Sequence, residues 1–203
     1  ADLPLHAVVG TSSLRRVALL RHLRPDLRIE PLRGNLDTRL RKLDDGLYDG
    51  IVLAAAGLKR LALGDRIRAV FEPEVMLPSA GQGALGIEVR SQRQDVVAAL
   101  APLVDQRTWL RVAAERAVSR AMGGSCSMPL AAFATLRDSV LDLRAAWGDA
   151  DGLLPVVQSR ASATVTDLDQ ANALGEQVAS ALRAAVQAGG GRAPERSDPT
   201  GHA

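Results

Sequence analysis

Two adjacent arginines, Arg15 and Arg16, are the residues whose position most clearly implies chemistry. They stand on the first turn of a predicted helix that Ser12 or Ser13 caps, directly after a buried strand that turns at Gly10. A helix dipole disfavours positive charge at this end by about 0.3 to 1 kcal/mol. A bound anion explains the pair better than a solvated helix face does, because the guanidinium groups and the free backbone N–H groups of the first turn can both hold it. The sequence therefore predicts an anion site.

The elements around this turn follow the pattern of an α/β domain. Strand, helix, strand, helix and strand alternate as far as about Leu77, which predicts a parallel sheet with right-handed crossovers. The third predicted strand, over 51–56, is apolar throughout, as in a strand buried on both faces. Ligands of open α/β sheets bind at the carboxyl ends of the strands. We therefore expect the polar groups of the turns at 11–16, 33–35 and 54–57 to converge.

We expect these three turns together to place a wall of basic side chains around a carboxylate or phosphate ligand. Its members are Arg15, Arg16, Arg33 and Arg39. The basic residues of the chain are mostly arginine, which suits bidentate binding of planar anions. Genomic composition would explain the same bias, so the bias alone does not decide between the two.

A different unit is predicted in the second half of the chain. The segment 79–104 is interpreted as a hinge, then a strand over 85–89 and a helix from Gln94, without a partner in the preceding domain. A helix over 106–121 precedes three antiparallel strands and a closing helix from Asp167, which is an α+β pattern. The predicted strands cover 130–134, 140–147 and 153–161. The predicted divisions of the chain are 1–78, 79–104, 105–188 and 189–203, the last a disordered tail.

Composition limits the possible functions. An aromatic content of 2% and a net charge of +2 offer neither a stacking platform nor a strongly basic surface for nucleic acid. The single cysteine, Cys126, cannot form an internal disulfide and fits a reducing compartment, so we expect a cytoplasmic protein without a membrane span. The three histidines show no metal-ligand spacing.

Four stretches together resemble the porphobilinogen deaminase (hydroxymethylbilane synthase) family. They are GTSSLRR at 10–16, LRGNLDTRLRKLDDGLYDGIVLAAAGLKRL at 32–61, LPSAGQGALGIEVR at 77–90 and the Gly-rich loop around Cys126. The resemblance implies a transferase of tetrapyrrole and haem biosynthesis that joins four porphobilinogen units into linear hydroxymethylbilane and releases ammonia. It also implies that the α/β domain has a periplasmic-binding-protein-like fold and that the enzyme is a monomer.

The same resemblance implies a dipyrromethane cofactor, made from two porphobilinogens and attached through a thioether to a loop cysteine, which here is Cys126. Each pyrrole carries an acetate and a propionate, and unpaired carboxylates in a closed cleft are costly, so guanidinium groups are suitable counter-ions. The further residues assigned to cofactor binding are Thr11, Ser13, Arg15, Arg16, Arg33, Asn35, Arg39 and Gln82, the last on an interdomain strand. The family's two glycines before the cysteine are Gly124 and Ser125 here.

One part of the family pattern is not matched. The family's first domain, with its catalytic aspartate, would precede Ala1, and no residue of this chain corresponds to that aspartate. We therefore expect a partial enzyme that is inactive alone, in which 85–103 returns to the first domain. The alternative is a non-catalytic carboxylate-binding module of the same fold, which needs no covalent cofactor. Nucleic-acid binding through the arginines is a third hypothesis and predicts strong salt dependence.

Overall fold

The computed structural model describes residues 3–124, 128–149 and 151–191. These residues form one parallel and one antiparallel three-stranded sheet, with strand orders β2-β1-β3 and β4-β5-β6. The fold class predicted from the sequence is thereby confirmed: a parallel-sheet α/β unit comes first and a small α+β unit with an antiparallel sheet follows.

Alternating strands and helices build the α/β unit. Its elements are β1 (Val8–Gly10), α1 (Leu14–Leu23), β2 (Arg28–Glu30), α2 (Leu36–Asp44), β3 (Gly50–Ile51) and α3 (Ala55–Arg60). Strand β1 lies in the middle and pairs in parallel with both neighbours, Gly10 standing opposite Glu30 in β2 and Ile51 in β3. Because the three strands are parallel and in this register, they end together at one edge of the sheet.

The predicted strand over 51–56 is wrong in length. Strand β3 ends at Ile51, and helix α3 already begins at Ala55. Alanine is the strongest helix former, and the run Ala54, Ala55 and Ala56 favours a helix where the apolar pattern indicated a strand. The side chains from Ile51 to Leu53 are only partly buried, so the strand is not covered on both faces.

The segment between the two units has less regular structure than the sequence indicated. It contains two 3₁₀ turns, Gly64–Arg66 and Ala101–Leu103, and helix α4 (Gln94–Leu100), which confirms the predicted helix. The predicted strand over 85–89 is wrong, and residues 80–83 form a turn where a hinge or an interdomain strand was expected. A strand needs a paired neighbour, and no described residue supplies one. Leu85 and Ile87 are accordingly 82% and 60% exposed.

The second unit has the predicted order of helix, three strands and helix. Its elements are α5 (Gln106–Ala121), β4 (Leu130–Arg137), β5 (Val140–Trp147), β6 (Val157–Thr164) and α6 (Leu168–Ala188). Both helices pack on one face of the sheet around a core that includes Val118, Leu143 and Leu182. The third strand starts at Val157 and not at 153. Most of the predicted tail, residues 192–203, lies outside the described residues.

The residues after α3 bring the two units together. Leu77 is buried against Ala131 and Ala146, and the Ala132 N–H donates to the Pro78 carbonyl oxygen at 3.0 Å. We call residues 77–82 the anchor segment. It lies along the outer edge of β4, because that strand pairs with β5 on its other side.

Candidate functional site

The strand ends of the parallel sheet bring three turns together, as the sequence predicted. The Thr11 N–H donates to the Glu30 carbonyl at 3.0 Å, and the Val52 N–H donates to the Gly10 carbonyl at 3.1 Å. The Ser12 hydroxyl donates to the Leu32 carbonyl at 2.9 Å. These bonds fix the start of α1 between the turns that follow β2 and β3.

Thr11 and Ser13 shape the beginning of α1. Thr11 is 4% exposed, and its hydroxyl oxygen accepts a hydrogen bond from the Ser13 N–H at 3.3 Å. Ser13 is the N-cap residue, but its side chain makes no cap hydrogen bond to the described residues. The N–H groups of the first turn are therefore not occupied by a serine cap and remain available to an anion.

Arg15 is the most buried of the predicted site arginines, with 6% of its surface exposed. Its Nη1 donates to the Leu77 carbonyl at 2.5 Å, and its Nη2 donates to Gln82 Oε1 at 3.3 Å. Burial, and then the charge of Arg16, lower the pKa of Arg15 from its ordinary value to about 10. The group stays cationic at neutral pH. A guanidinium has five N–H donors, so three remain after these two bonds.

Arg16 and Arg39 extend the cationic region. Arg16 is partly buried and donates through Nη1 to the Val52 carbonyl at 2.9 Å. Burial is the main cause that lowers its pKa, and the nearby charge of Arg39 is the second. Arg39 donates through Nε to the Gly34 carbonyl at 2.8 Å. Arg15, Arg16 and Arg39 form what we call the arginine cluster.

No acidic side chain among residues 3–124, 128–149 and 151–191 makes an ion pair with the arginine cluster. Neighbouring positive charges repel, and burial in a low dielectric strengthens the repulsion. An anion would remove this cost. The geometry therefore favours a site for a ligand with several negative charges.

Arg33 and Asn35 lie in the turn that leads into α2. The Arg33 side chain is exposed and makes no hydrogen bond that the described part of the chain records; its carbonyl accepts from Lys42 Nζ at 3.2 Å. Asn35 caps α2, since its Oδ1 accepts the Thr38 N–H at 2.9 Å. The side-chain oxygen of Asn35 is thus used by the fold, and its NH₂ group remains as a donor to a ligand. The structure brings Arg33 to the same edge without joining it to the cluster.

Gln82 is joined to the cluster through Arg15. Its Oε1 accepts from Arg15 and also from the Ser79 hydroxyl, each at 3.3 Å. Cys126, the predicted cofactor attachment residue, lies outside the described residues, so its role stays a prediction. Helix α5 ends at Ala121, five positions before it in the sequence.

Glu115 of α5 is a buried acidic residue that was not among the site residues predicted from the sequence. This glutamate is 6% exposed and accepts hydrogen bonds from the Gly81 N–H at 2.7 Å and the Ala134 N–H at 2.8 Å. Burial is the largest influence on its pKa and raises it. A signal was present: Glu115 lies three residues before the core residue Val118, which places a charge on the inward face of the helix.

The described ranges offer neither a metal cluster nor a membrane-spanning helix. These ranges hold no group of three or more His, Cys, Asp or Glu side chains that could bind a metal ion. No helix in them combines the length and the apolar character that crossing a membrane requires.

Comparisons with known proteins agree with this architecture. A family model described as "Porphobilinogen deaminase, dipyromethane cofactor binding domain" matches residues 1–98, which include the arginine cluster and Gln82. A second, described as "Porphobilinogen deaminase, C-terminal domain", matches residues 109–184, the stretch in which Cys126 falls.

Curated relatives are similar over nearly the whole chain. The porphobilinogen deaminase of Albidiferax ferrireducens is 71% identical over 203 residues, covering 100% of this chain and 64% of that protein. The one of Paraburkholderia phytofirmans is 60% identical over 182 residues, covering 90% and 53%. The one of Ralstonia nicotianae is 60% identical over 180 residues, covering 88% and 54%. The chain thus spans between half and two thirds of these relatives' lengths, and it belongs to the porphobilinogen deaminase family.

Proposed function

We propose that this chain is the ligand-holding part of a transferase that joins four porphobilinogen units into linear hydroxymethylbilane with release of ammonia. Family membership supports this reaction and its place in tetrapyrrole biosynthesis. The observation that carries the proposal is the arginine cluster, whose three guanidinium groups lack an acidic partner among the described residues.

The donor set suits a dipyrromethane cofactor. Such a group carries two acetates and two propionates, and guanidinium groups bind carboxylates through paired, charge-assisted hydrogen bonds. Arg15 and Arg16 are partly desolvated, so their bonds to a carboxylate are stronger than they would be in water. The excess of positive charge at the strand ends fits a ligand with several carboxylates better than a single anion.

Each predicted site residue has a defined role in binding the ligand. Arg15, Arg16 and Arg39 bind ligand carboxylates, joined by Arg33, while Thr11, Ser13 and the Asn35 amide add hydrogen bonds. Gln82 orients Arg15, and Cys126 attaches the cofactor covalently. When bound, the cofactor supplies a fixed acceptor to which the porphobilinogen units are joined.

None of the residues of this chain is proposed to be catalytic. We place the catalytic aspartate in a further, first domain with which this chain would act. We expect the complete enzyme to be a cytoplasmic monomer. Incubation of the 203-residue chain with porphobilinogen should give no hydroxymethylbilane above the rate without protein. Production of the bilane would contradict the assignment of the catalytic aspartate to the first domain.

Binding of a synthetic dipyrromethane with two acetate and two propionate groups tests the proposed site. Titration calorimetry should show that Arg16→Gln weakens binding at least about tenfold, because one charge-assisted bond is lost beside other cations. Arg41→Gln is the matched control: Arg41 is an exposed arginine of α2. The dipyrromethane affinity of the Arg41→Gln variant should stay within about twofold of that of the unsubstituted chain, as for ordinary surface changes. Equal losses in both variants would show that only net charge matters and would overturn the proposed site.

The alternative, a non-catalytic binding module, also predicts carboxylate binding but no covalent group on Cys126. Intact mass separates the two proposals. A chain purified together with the proposed first domain should be heavier by one dipyrromethane, and Cys126→Ser should abolish the increase. An unmodified mass under these conditions would favour the binding module.

A further inference from the structure

Glu115 connects two parts of the molecule that are distant in sequence. One carboxylate oxygen accepts the Gly81 N–H of the anchor segment at 2.7 Å, and the other accepts the Ala134 N–H of β4 at 2.8 Å. Beside this bridge, the Ala132 N–H donates directly to Pro78. Glu115 therefore fastens the anchor segment to the edge of β4.

The anchor segment is held from its other side by Arg15. The guanidinium donates to the Leu77 carbonyl and to Gln82 Oε1, which lie at the two ends of the segment. Gly81, the residue that Glu115 holds, is the direct neighbour of Gln82. A shift of the segment away from β4 would therefore displace both acceptors that orient the Arg15 guanidinium.

We infer that Glu115 is a positioning residue for the arginine cluster: by holding the anchor segment it sets where Arg15 presents its three remaining N–H donors to a ligand. The inference rests on the proposed function, since it requires that Arg15 binds a ligand carboxylate. Glu115 itself touches no ligand in this account, and it acts through Gly81 and Gln82.

The chemistry of the bridge requires a carboxylate. Both Glu115 oxygens are acceptors, and both partners are backbone N–H donors. Glutamine at this position would offer one acceptor oxygen and one NH₂ group, so one of the two N–H groups would face another donor. The replacement keeps the size of the side chain and removes one hydrogen bond, which makes Glu115→Gln the specific test.

The first experiment measures dipyrromethane affinity of the 203-residue chain by calorimetry in four variants. Glu115→Gln should weaken binding about fivefold, the effect of losing one hydrogen bond that fixes a binding group. Val178→Ala is the control, because Val178 is a fully buried residue of α6, a helix that carries neither Glu115 nor any residue of the anchor segment. It should lower the melting temperature yet leave affinity within about twofold, since α6 carries none of the proposed ligand-binding residues. In an Arg15→Gln background, Glu115→Gln should have no further effect on affinity.

The outcomes separate the two proposals. If Arg15→Gln leaves affinity unchanged, Arg15 does not bind the ligand and the proposed function fails at this residue. If Arg15→Gln weakens binding but Glu115→Gln does not, or if the two losses add in full, the role of Glu115 is overturned while the proposed function stands.

A second measurement needs no substitution and so covers the case in which Glu115→Gln does not fold. If a fixed anchor segment favours ligand binding, the ligand must by linkage favour the fixed segment. Addition of dipyrromethane should therefore slow hydrogen exchange of the Gly81 amide. Unchanged or faster exchange at Gly81 with bound ligand would contradict the inference.

Discussion

Replacement of Gly148 with alanine tests whether α1, the helix that carries Arg15 and Arg16, is positioned by the second unit. Gly148 follows β5 and is buried against α1. A Cβ added there would lie 2.4 Å from the Cβ of Ala18. Carbon atoms in contact are about 3.5 to 4 Å apart, so the helix would have to move by about 1 Å or more. Such overpacking costs about 1 to 3 kcal/mol.

Urea unfolding followed by circular dichroism measures this cost. Gly148→Ala should lower the free energy of unfolding by about 1 to 3 kcal/mol. Gly57→Ala is the matched control, because Gly57 lies in α3 and an added Cβ meets nothing within 4 Å. It should stabilise the chain by about 0.5 to 1 kcal/mol, the usual gain for this change in a helix.

A rescue variant makes the explanation specific. Ala18→Gly alone should destabilise α1 by about 1 kcal/mol, as glycine does in a helix interior. In the Gly148→Ala background the same change removes the methyl group that causes the clash, so the double variant should lose less stability than the sum of the two single losses. Full additivity of the two changes would refute the reasoning, as would an unaltered free energy of unfolding in Gly148→Ala.

Two further predictions concern single side chains. Burial raises the pKa of Glu115 above its ordinary value of 4.5. As the pH rises, the Glu115 carboxyl therefore ionises in the unfolded chain before it ionises in the folded chain. Glu115 therefore contributes stability below pH 4.5 that is lost as the pH rises through its folded pKa. As the pH rises above 4.5, the urea midpoint of the unsubstituted chain should fall relative to that of Glu115→Gln. Parallel pH profiles of the two midpoints would count against a buried carboxyl at this position. Asn35→Ala removes the α2 cap and should cost about 1 kcal/mol in urea unfolding. Asn172→Ala on α6 is its control, since Asn172 accepts from Arg120 on the surface and caps nothing; an equal loss in both variants would contradict the cap assignment.

Local patterns in the sequence were sufficient where a residue's role depends on its neighbours along the chain. The alternation of strands and helices indicated the parallel sheet, which the structure confirms. The turn before Arg15 and Arg16 lies at its strand ends as expected, while the anion site there stays a prediction. Asn35 was expected to bind ligand, and the structure shows its side-chain oxygen in the cap of α2.

Contacts between distant parts of the chain could not be predicted in this way. The strand expected over 85–89 requires a pairing partner, which an apolar pattern cannot guarantee. The bonds from Arg15 to Leu77 and from Glu115 to Gly81 join residues 62 and 34 positions apart. No local periodicity encodes such bonds. The position of Glu115 on the inward face of α5 therefore gave no sign of the backbone N–H groups that it accepts.

The central claim is that the arginine cluster binds a ligand with several carboxylates, and nuclear magnetic resonance of the guanidinium groups tests it most directly. In a ¹⁵N-labelled chain titrated with dipyrromethane, the Nε–H signals of Arg15, Arg16 and Arg39 should shift together with one dissociation constant, while that of Arg41 stays in place. Shifts at Arg41 equal to those of the cluster, or a cluster whose signals do not move while the ligand binds, would contradict the account.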